Sequence, residues 1–263
     1  MLDGLVALVT GAGSGLGAAI SRRLATDGAT VVVNDLRADA AEVTAKEVDG
    51  EAAPFDVSDS AAFDAAVDGV VARHGRIDIV VNNAGLLHDR PEVAERSMAA
   101  LMTRLAGGAP EPVQALSTLS DELWDRMIKV HLYGAFYGTR AALRHMQPAR
   151  RGSIVNISSI LGQHPSAGAP HYATAKAAII ALTRSVAQET AHLGIRVNAV
   201  CPGYVDTPLL APLDDALKAM ITMQIASGRM ARAEELAELV RFLAGPESSY
   251  STGDVFTASG GYA

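Results

Sequence analysis

The distribution of apolar residues along the chain predicts alternating strands and helices. Short runs that are almost wholly apolar recur, and between them apolar residues repeat at helical spacing. The predicted strands are residues 5–10, 30–35, 52–56, 77–82, 153–157, 196–200 and, from a weaker pattern, 255–257. The predicted helices are residues 18–27, 38–48, 60–74, 121–146, 172–192 and 233–243.

The predicted strands are apolar at successive positions, which indicates burial on both faces and is typical of a parallel sheet covered by helices. Regular alternation of such strands with helices predicts a doubly wound α/β fold. No repeat, low-complexity segment or linker divides the sequence, so we expect a single domain over residues 1–263. The irregular part of the chain is residues 86–118.

Composition and charge exclude several classes of protein. With 49% hydrophobic and 19% charged residues, the 263-residue chain is not expected to be disordered. The net charge of -7 and the lack of a dense Lys/Arg run disfavour a nucleic-acid partner. The single cysteine, Cys201, excludes an intrachain disulfide and a multi-cysteine metal site, and we expect no metal. No apolar stretch reaches the ~18–20 residues that span a bilayer, so we expect a cytoplasmic protein without a membrane partner.

A glycine-rich turn joins the first predicted strand to the first predicted helix. Glycine lets the backbone approach a ligand closely, and a helix N-terminus offers free N–H groups to a pyrophosphate. The spacing differs from G-x-G-x-x-G, because Leu16 stands where the last glycine is expected. The candidate cofactor-binding residues are Gly11, Gly13, Ser14, Gly15, Leu16 and Gly17. A structural turn is the alternative interpretation.

Asp35 ends the second predicted strand and points to the choice of cofactor. A carboxylate at this position accepts hydrogen bonds from the adenosine ribose hydroxyls and repels a 2′-phosphate. Arg37, two residues later, favours NADP instead, because its cation can pair with a phosphate. We therefore predict NAD rather than NADP, with a strand-end turn residue as the alternative role for Asp35.

Three polar residues form a candidate catalytic group. Tyr172 and Lys176 share one face of a helix because they are four residues apart. A nearby ammonium stabilises a phenolate, so Lys176 could tune Tyr172 for proton exchange with an alcohol or carbonyl oxygen. Ser159 follows a buried strand at the carboxyl edge, where open α/β sheets bind ligands. A tyrosine and a lysine four residues apart are more often part of an ordinary helix surface. Together with Ser159 after the buried strand, the pair becomes a specific indication of a catalytic site.

The sequence resembles the short-chain dehydrogenase/reductase family over nearly its whole length. The matching motifs are Thr10–Gly17, Asp56-Val57, Asn82-Asn-Ala-Gly85, Ser159, Tyr172-Ala-Thr-Ala-Lys176 and Pro202-Gly-Tyr-Val-Asp-Thr207. The resemblance implies a single Rossmann-type domain with a parallel sheet of about seven strands. It also implies that Ser159 holds the substrate oxygen, that Tyr172 is the acid/base, and that Lys176 binds the nicotinamide ribose and lowers the tyrosine pKa.

The resemblance assigns further cofactor contacts. It places Asp56 and Val57 at the adenine, Asn83, Ala84 and Gly85 along the cofactor ribose, and Val205 and Thr207 at the carboxamide. Pro202 and Gly203 belong to the same site, with a plain turn as the alternative. Asn82 is expected to brace the sheet rather than to touch substrate.

The chain departs from the family pattern at His131, where an asparagine usually joins a water relay to the lysine. We count His131 among the candidate catalytic residues because the relay can use its backbone carbonyl. Whether the imidazole takes part in the chemistry or is a packed structural histidine stays open.

The second departure is a longer stretch between Gly85 and His131 than is usual in the family. Residues 86–118 are predicted to contain a helix from Pro91 to Leu105, capped by Asp89. Ala94, Met98, Leu101 and Leu105 give it an apolar stripe, which is expected to pack on the body of the protein or to line a substrate site. The insertion is a candidate lid or subunit interface.

The region after Thr207 is apolar, which favours an apolar substrate or a subunit interface. Its apolar residues are Leu209, Leu210, Leu213, Met220, Met223 and Ile225. The leading hypothesis is an NAD-dependent oxidoreductase that acts on a secondary alcohol or ketone, such as a 3-hydroxyacyl thioester or a hydroxysteroid, as a homotetramer or homodimer. The alternative is a catalytically idle dinucleotide-binding protein that senses redox state or serves as a scaffold.

Overall fold

The computed structural model describes residues 1–87, 90–211, 213 and 215–262. Within these ranges the chain forms a seven-stranded sheet in the order β3-β2-β1-β4-β5-β6-β9, with every neighbouring pair parallel. Its strands are β1 (Val6–Val9), β2 (Thr30–Val33), β3 (Glu51–Ala52), β4 (Ile79–Asn82), β5 (Gly152–Ile157), β6 (Ile195–Pro202) and β9 (Val255–Ala258). The predicted α/β fold is confirmed, and each predicted strand is present.

Helices cover both faces of the sheet. They are α1 (Gly15–Thr26), α2 (Ala38–Glu47), α3 (Ser60–His74), α4 (Pro91–Leu105), α5 (Asp121–Ile128), α6 (Gly134–Ala149), α7 (Pro170–Thr190), α8 (Asp215–Met223) and α9 (Ala233–Ala244). One apolar core joins the sheet to α1, α2 and α9, and the other joins it to α3, α6 and α7. No helix within the described ranges is long and apolar enough to cross a membrane.

The sheet has its topological switch point between β1 and β4. The chain moves outward from β1 to β2 and β3, and then returns to place β4 on the other side of β1. In open parallel sheets, ligands bind beyond the carboxyl ends of the strands at this point. The glycine-rich turn after β1 and residues 83–85 after β4 therefore meet at the expected binding edge.

Two predicted elements differ in detail from the structure. The predicted third strand, residues 52–56, is reduced to Glu51–Ala52. The Asn34 side chain donates hydrogen bonds to the carbonyls of Ala53 and Phe55, both at 3.0 Å, where ladder bonds were expected. The predicted helix 121–146 is interrupted by a π-helical turn over Lys129–Tyr133. Such turns insert an extra residue into the helical repeat and occur often at functional sites.

The helix predicted in residues 86–118 is present as α4, whereas the predicted packing of its apolar stripe is wrong for Leu101 and Leu105. Its buried residues are Val93 and Ala100. Leu101 is 40% exposed and Leu105 is 74% exposed, so the end of the expected apolar stripe faces outward. The expected cap, Asp89, lies outside the described residues. The hydrophobic spacing thus identified the helix but not the face that the rest of the protein covers.

A small second sheet pairs β7 (Val205–Asp206) with β8 (Ala231–Arg232) in parallel. It has no clear signal in the sequence, because each strand has only two residues and neither is apolar throughout. This pairing anchors both ends of the segment that contains α8. It thereby fixes the base of the apolar region that follows Thr207.

Candidate active site

The glycine-rich turn forms a close-packed cradle. Gly11 and Gly15 have φ of 61° and 53°, a left-handed conformation that favours glycine. A Cβ at Gly17 would lie 2.3 Å from the Gly11 carbonyl oxygen, so a side chain there would not fit. Within the described residues, Ser14 makes no side-chain capping bond to α1, which leaves the first helical amides available to an anion. The cradle therefore fits a pyrophosphate.

Asp35 lies directly beside this cradle. The Gly13 amide donates to one Asp35 carboxylate oxygen at 3.0 Å, and the Arg37 amide donates to the other at 3.0 Å. A Cβ at Gly13 would come within 2.8 Å of that carboxylate. The Arg37 guanidinium pairs with Asp39. The cation that argued against NAD thus has a carboxylate partner, while Asp35 borders the turn.

Asn83 braces the cradle from the adjacent strand end. Its side-chain amide donates to the carbonyls of Thr10 and Gly11 at 2.9 and 3.1 Å. The amides of Asn83 and Ala84 donate to the Thr10 hydroxyl at 3.0 and 3.1 Å. The Asn83 side chain therefore holds the two ligand-facing turns together, and its amide group is already engaged by protein.

Asn82 has the bracing role expected of it. Its side-chain amide donates to the Asn156 carbonyl oxygen at 2.8 Å and to the Thr139 hydroxyl at 3.3 Å. It is only 6% exposed. These bonds tie β4 to β5 and to α6 beneath the binding edge.

The remaining predicted cofactor residues line the same edge. Asp56 accepts hydrogen bonds from the Ser58 amide and hydroxyl, both at 2.8 Å, which fixes the turn that contains the buried Val57. Thr207 packs over the cradle, since a Cβ at Gly15 would meet the Thr207 Cβ at 3.3 Å. The cradle is thus closed from above by the chain that leaves β7.

Pro202 ends β6 and Gly203 follows it, next to the C-terminal part of the described chain. The Gly203 amide donates to the Ala258 carbonyl at 3.0 Å. A Cβ at Gly203 would lie 2.8 Å from the Ser259 Cα, so only glycine allows this approach. These residues bring the segment 259–262 to the binding edge.

The predicted catalytic residues come together at the ends of β5 and α7. Ser159 follows β5, and its hydroxyl accepts from the Leu161 amide at 3.1 Å. The same hydroxyl lies close enough to Tyr172 to lower the pKa of the phenol. The Lys176 Nζ donates to the Ile157 carbonyl at 2.8 Å and lies 5.7 Å from the centre of the Tyr172 ring. The Ser158 hydroxyl donates to the Lys176 carbonyl at 2.7 Å. The strand and the helix therefore hold one another in register around the reactive groups.

The pKa of Tyr172 differs from the one that the resemblance implies. Burial raises the pKa of Tyr172 above its usual value, and the nearby Ser159 hydroxyl only partly offsets this. Burial lowers the pKa of Lys176 to about 7. The expected lowering of the tyrosine pKa is not present, because burial favours both neutral forms. The acid form of Tyr172 is the stable one at neutral pH.

His131 lies behind Tyr172, in the π-helical turn. It is 3% exposed, and its ring meets the Tyr172 ring edge-on, with centroids 5.3 Å apart and planes at 86°. Its Nε2 is 3.1 Å from the Leu86 amide nitrogen and 2.9 Å from the Leu86 carbonyl oxygen. Burial, the Lys176 charge and His171 depress its pKa well below the usual range, although the Leu86 hydrogen bond opposes them. The imidazole is therefore neutral near pH 7.

The α4 helix packs against the loop that joins Ser159 to Tyr172. A Cβ at Gly168 in this loop would meet the Ser97 hydroxyl at 3.0 Å and the Val93 side chain at 3.9 Å. The inner face of α4 thus lies against the chain between two of the catalytic residues. This contact places the segment beside the reactive edge.

Arg90 is a structural residue that the sequence pattern did not identify. Its side chain is 7% exposed and donates to the Ala115 carbonyl at 2.6 Å and to the Thr118 hydroxyl at 2.7 Å. It also pairs with Glu92 at 3.2 Å. Arg90 therefore closes the 86–118 segment across its two ends. A lone arginine before a proline carries no signal of this role.

Two tyrosines near the reactive edge were also missed. The rings of Tyr204 and Tyr262 meet with centroids 5.4 Å apart and planes at 74°. Burial, together with Tyr262 and Tyr172, raises the pKa of Tyr204. Tyr262 is brought there by the Gly260 carbonyl, which accepts from the Ser227 amide at 2.9 Å. The Gly260-Gly261 pair before it was the available sequence signal.

Known proteins that resemble this chain include members of one enzyme family. A sequence profile of the family described as short chain dehydrogenase matches residues 5–218. A 3-oxoacyl-(acyl-carrier-protein) reductase FabG of Thermotoga maritima is 37% identical over 99% of this chain and 98% of its own length. A cis-4-hydroxycyclohexanecarboxylate dehydrogenase of Sinomonas cyclohexanicum is 40% identical over 98% and 96%.

A solved structure from Brucella melitensis 16M has the same fold. It is described as a ribose-5-phosphate isomerase, and it superimposes with a TM-score of 0.86 and 34% identity. The match covers 99% of this chain and 93% of that one. Because one fold hosts many activities, the likeness supports the architecture, and the chemistry has to come from the site.

Proposed function

The chain belongs to the short-chain dehydrogenase/reductase family of oxidoreductases, and we propose that it is an NAD-dependent enzyme that interconverts a secondary alcohol and a ketone. The observation that carries the proposal is the meeting of Ser159, Tyr172 and Lys176 beside the glycine cradle. When bound, the nicotinamide cofactor supplies the hydride for reduction and accepts it in oxidation.

Tyr172 moves the proton in the proposed reaction. In ketone reduction its neutral phenol donates the proton to the carbonyl oxygen, and the raised pKa keeps that acid form populated at neutral pH. Ser159 hydrogen-bonds the same oxygen and holds it in reach of Tyr172. Lys176, fixed by the Ile157 carbonyl, stabilises the phenolate that is left. The reverse reaction needs the phenolate at the outset.

NAD is the proposed cofactor because of the charges at the end of β2. Asp35 lies beside Gly13 and can accept hydrogen bonds from ribose hydroxyls, while its negative charge opposes a 2′-phosphate. The pairing of Arg37 with Asp39 engages the cation that would favour a phosphate. The amides at the start of α1 would hold the pyrophosphate.

An apolar alcohol or ketone is the proposed substrate, such as a 3-hydroxyacyl thioester or a hydroxysteroid. The chain after Thr207 supplies Leu209, Leu210 and Ile225, and apolar walls favour acyl or ring substrates over free sugars. The names of the relatives support the same class, since one is a reductase of an acyl carrier thioester and another a dehydrogenase of a hydroxylated ring acid.

The test is a panel of ketones and alcohols with the purified protein, followed by nicotinamide absorbance with NAD(H) and NADP(H). The panel contains a 3-oxoacyl thioester, a cyclic hydroxy acid, a ketosteroid and a small ketone. We expect turnover of at least one apolar compound with NAD(H). Tight cofactor binding without any turnover would favour the idle sensor or scaffold. Substrate consumption without an absorbance change would indicate an isomerase.

Assembly and location complete the proposal. We propose a homotetramer or homodimer, because the chain at the start of α6 presents Tyr133 and Phe136 to solvent at 41% and 40% exposure, and neighbouring exposed aromatic rings are typical of an interface. The proposed location is the cytoplasm. Light scattering of the purified protein measures its mass directly. A monomer at micromolar concentration would contradict this part of the proposal without affecting the proposed reaction.

A further inference from the structure

His131 makes two contacts that lead to different parts of the site. One edge of its ring faces Tyr172, with centroids 5.3 Å apart. Its Nε2 reaches the Leu86 backbone, 3.1 Å from the amide nitrogen and 2.9 Å from the carbonyl oxygen. One ring nitrogen can serve only one of these groups at a time, and the tautomer decides which. A single side chain thus touches both the acid/base residue and the first residue of the 86–118 segment.

The backbone around His131 is shaped to allow these contacts. The π-helical turn over Lys129–Tyr133 displaces the helical repeat at this position. A Cβ at Gly85 would lie 2.6 Å from the His131 Cε1, so a larger residue there would push the ring away. Gly85 and the π-helical turn together set the position of the ring.

The Leu86 contact matters because Leu86 opens the 86–118 segment. Arg90 closes the far end of this segment through its bonds to Ala115 and Thr118. The same segment packs through Ser97 on Gly168, in the loop between Ser159 and Tyr172. Leu86 thus opens a segment that also contacts the loop between Ser159 and Tyr172.

We propose that His131 is a positioning residue that couples the 86–118 segment to Tyr172 for the proposed reaction. The ring orients the tyrosine, and the Nε2 holds the segment at Leu86. The imidazole does not titrate in this role, because burial and the Lys176 charge keep it neutral. The groups that face it are Tyr172, Lys176 and His171 from α7 and the Leu86 backbone.

Two substitutions separate the two contacts. His131→Phe keeps an aromatic ring against Tyr172 but has no atom that can bond to Leu86. His131→Gln keeps a polar group that extends about as far as Nε2 but has no ring. His131→Ala loses both contacts. His145→Phe is the matched control, since His145 lies on α6 and pairs with Asp68 at 2.7 Å, away from the reactive residues.

The contacts predict opposite kinetic defects. For His131→Phe we expect a several-fold rise in KM for bulky substrates, with kcat within about twofold of the wild type. For His131→Gln we expect the reverse, a lowered kcat with KM nearly kept. His131→Ala should show both defects, and His145→Phe neither. Equal loss of kcat in the Phe and Gln variants, or no kinetic change in either, would overturn the proposal.

Hydrogen exchange of residues 86–118 gives a readout that does not depend on turnover. We expect faster exchange there in His131→Phe and His131→Ala, with near wild-type exchange in His131→Gln and His145→Phe. Unchanged exchange in all variants would also overturn the coupling. NAD binding, measured by fluorescence, should be kept in every variant. If the wild type turns over no substrate, the proposed function fails, whereas the exchange result still decides whether His131 holds the segment.

Discussion

The cofactor side and the substrate side of this site are built in different ways. The cofactor side, residues 10–17, 35 and 82–85, is formed largely by backbone groups, and side chains at several positions would collide with neighbouring atoms. The proposed substrate side, the described part of residues 86–118 and 204–228, is formed by side chains on α4, α8 and loops, and several of its apolar residues face solvent. On the cofactor side, the lack of space for side chains determines which residues are allowed. On the substrate side, the shape depends on how the side chains are oriented.

This difference explains which part of the site tolerates change. The space around Gly11, Gly13 and Gly17 admits almost no residue other than glycine. The motif can therefore be recognised in a single sequence. Surface loops accept substitution and insertion more readily and carry specificity. We therefore expect substitutions on the substrate side to leave the affinity for the cofactor nearly unchanged. Variants on each side test whether cofactor binding and substrate turnover can be altered separately.

The largest expected effect is the loss of the acid/base group. Tyr172→Phe should lower kcat by about 10²–10⁴ while NAD binding stays nearly intact, because the hydroxyl acts on the substrate. Steady-state kinetics and cofactor titration by fluorescence measure the two effects. Tyr250→Phe is the control, since Tyr250 is fully exposed. Full activity in Tyr172→Phe would show that another group moves the proton, with His131 the first to examine.

A smaller effect is expected at the cofactor side. The wild type should bind NADH more tightly than NADPH by at least ~1.4 kcal/mol, a factor of ten in binding constant. Asp35→Ala should narrow that gap, because it removes the carboxylate that repels the 2′-phosphate. Cofactor titration of both proteins measures it.

Asp39→Ala sharpens the same measurement. It frees Arg37 from its ion pair while Asp35 is kept, so NADPH binding should improve without loss of NADH binding. Tighter binding of NADPH by the wild type would mean that Arg37, not Asp35, governs the choice of cofactor.

A several-fold effect is expected from the 86–118 segment. Replacing residues 90–117 by a short linker should raise KM for bulky apolar substrates more than for small alcohols, with NAD affinity little changed. Arg90→Met is the milder companion, because it removes the bonds to Ala115 and Thr118 but keeps the chain length. Unaltered kinetics with a changed mass in solution would show that the segment is a subunit interface and not a lid.

The smallest effect concerns pH. Ketone reduction should stay active around neutrality, whereas alcohol oxidation should rise with increasing pH, because the raised pKa of Tyr172 keeps the phenol protonated until alkaline pH. Neither profile should contain a limb near 6.5 from His131, whose pKa is depressed by burial. His131→Asn, which has no ring to orient Tyr172, should lower kcat as His131→Gln does but keep the shape of the profile. Loss of such a limb in His131→Asn would show that the imidazole titrates in catalysis.

The sequence by itself determined the order of strands and helices and the cofactor edge. Continuous apolar runs require burial on both faces, and this predicts the parallel sheet. The glycine turn, Asp35 and the Tyr172–Lys176 spacing lie within single elements or at their ends, so local pattern was enough to identify them. Ser159 was identified in the same way, because its strand ends at the ligand-binding edge.

Only the tertiary structure decided which side chains meet between elements. The apolar spacing of α4 predicted a helix, yet Val93 and Ala100 are the buried residues, because the loop around Gly168 selects the covered face. The bonds of Arg90 to Ala115 and Thr118, and the packing of Tyr262 on Tyr204, join residues with no local spacing signal. The pKa values of Tyr172 and Lys176 likewise depend on burial, which comes from the packing of α7 on β5 and β6. Spacing along the chain fixes neighbours within an element, whereas burial and cross-element contacts arise only when the elements pack.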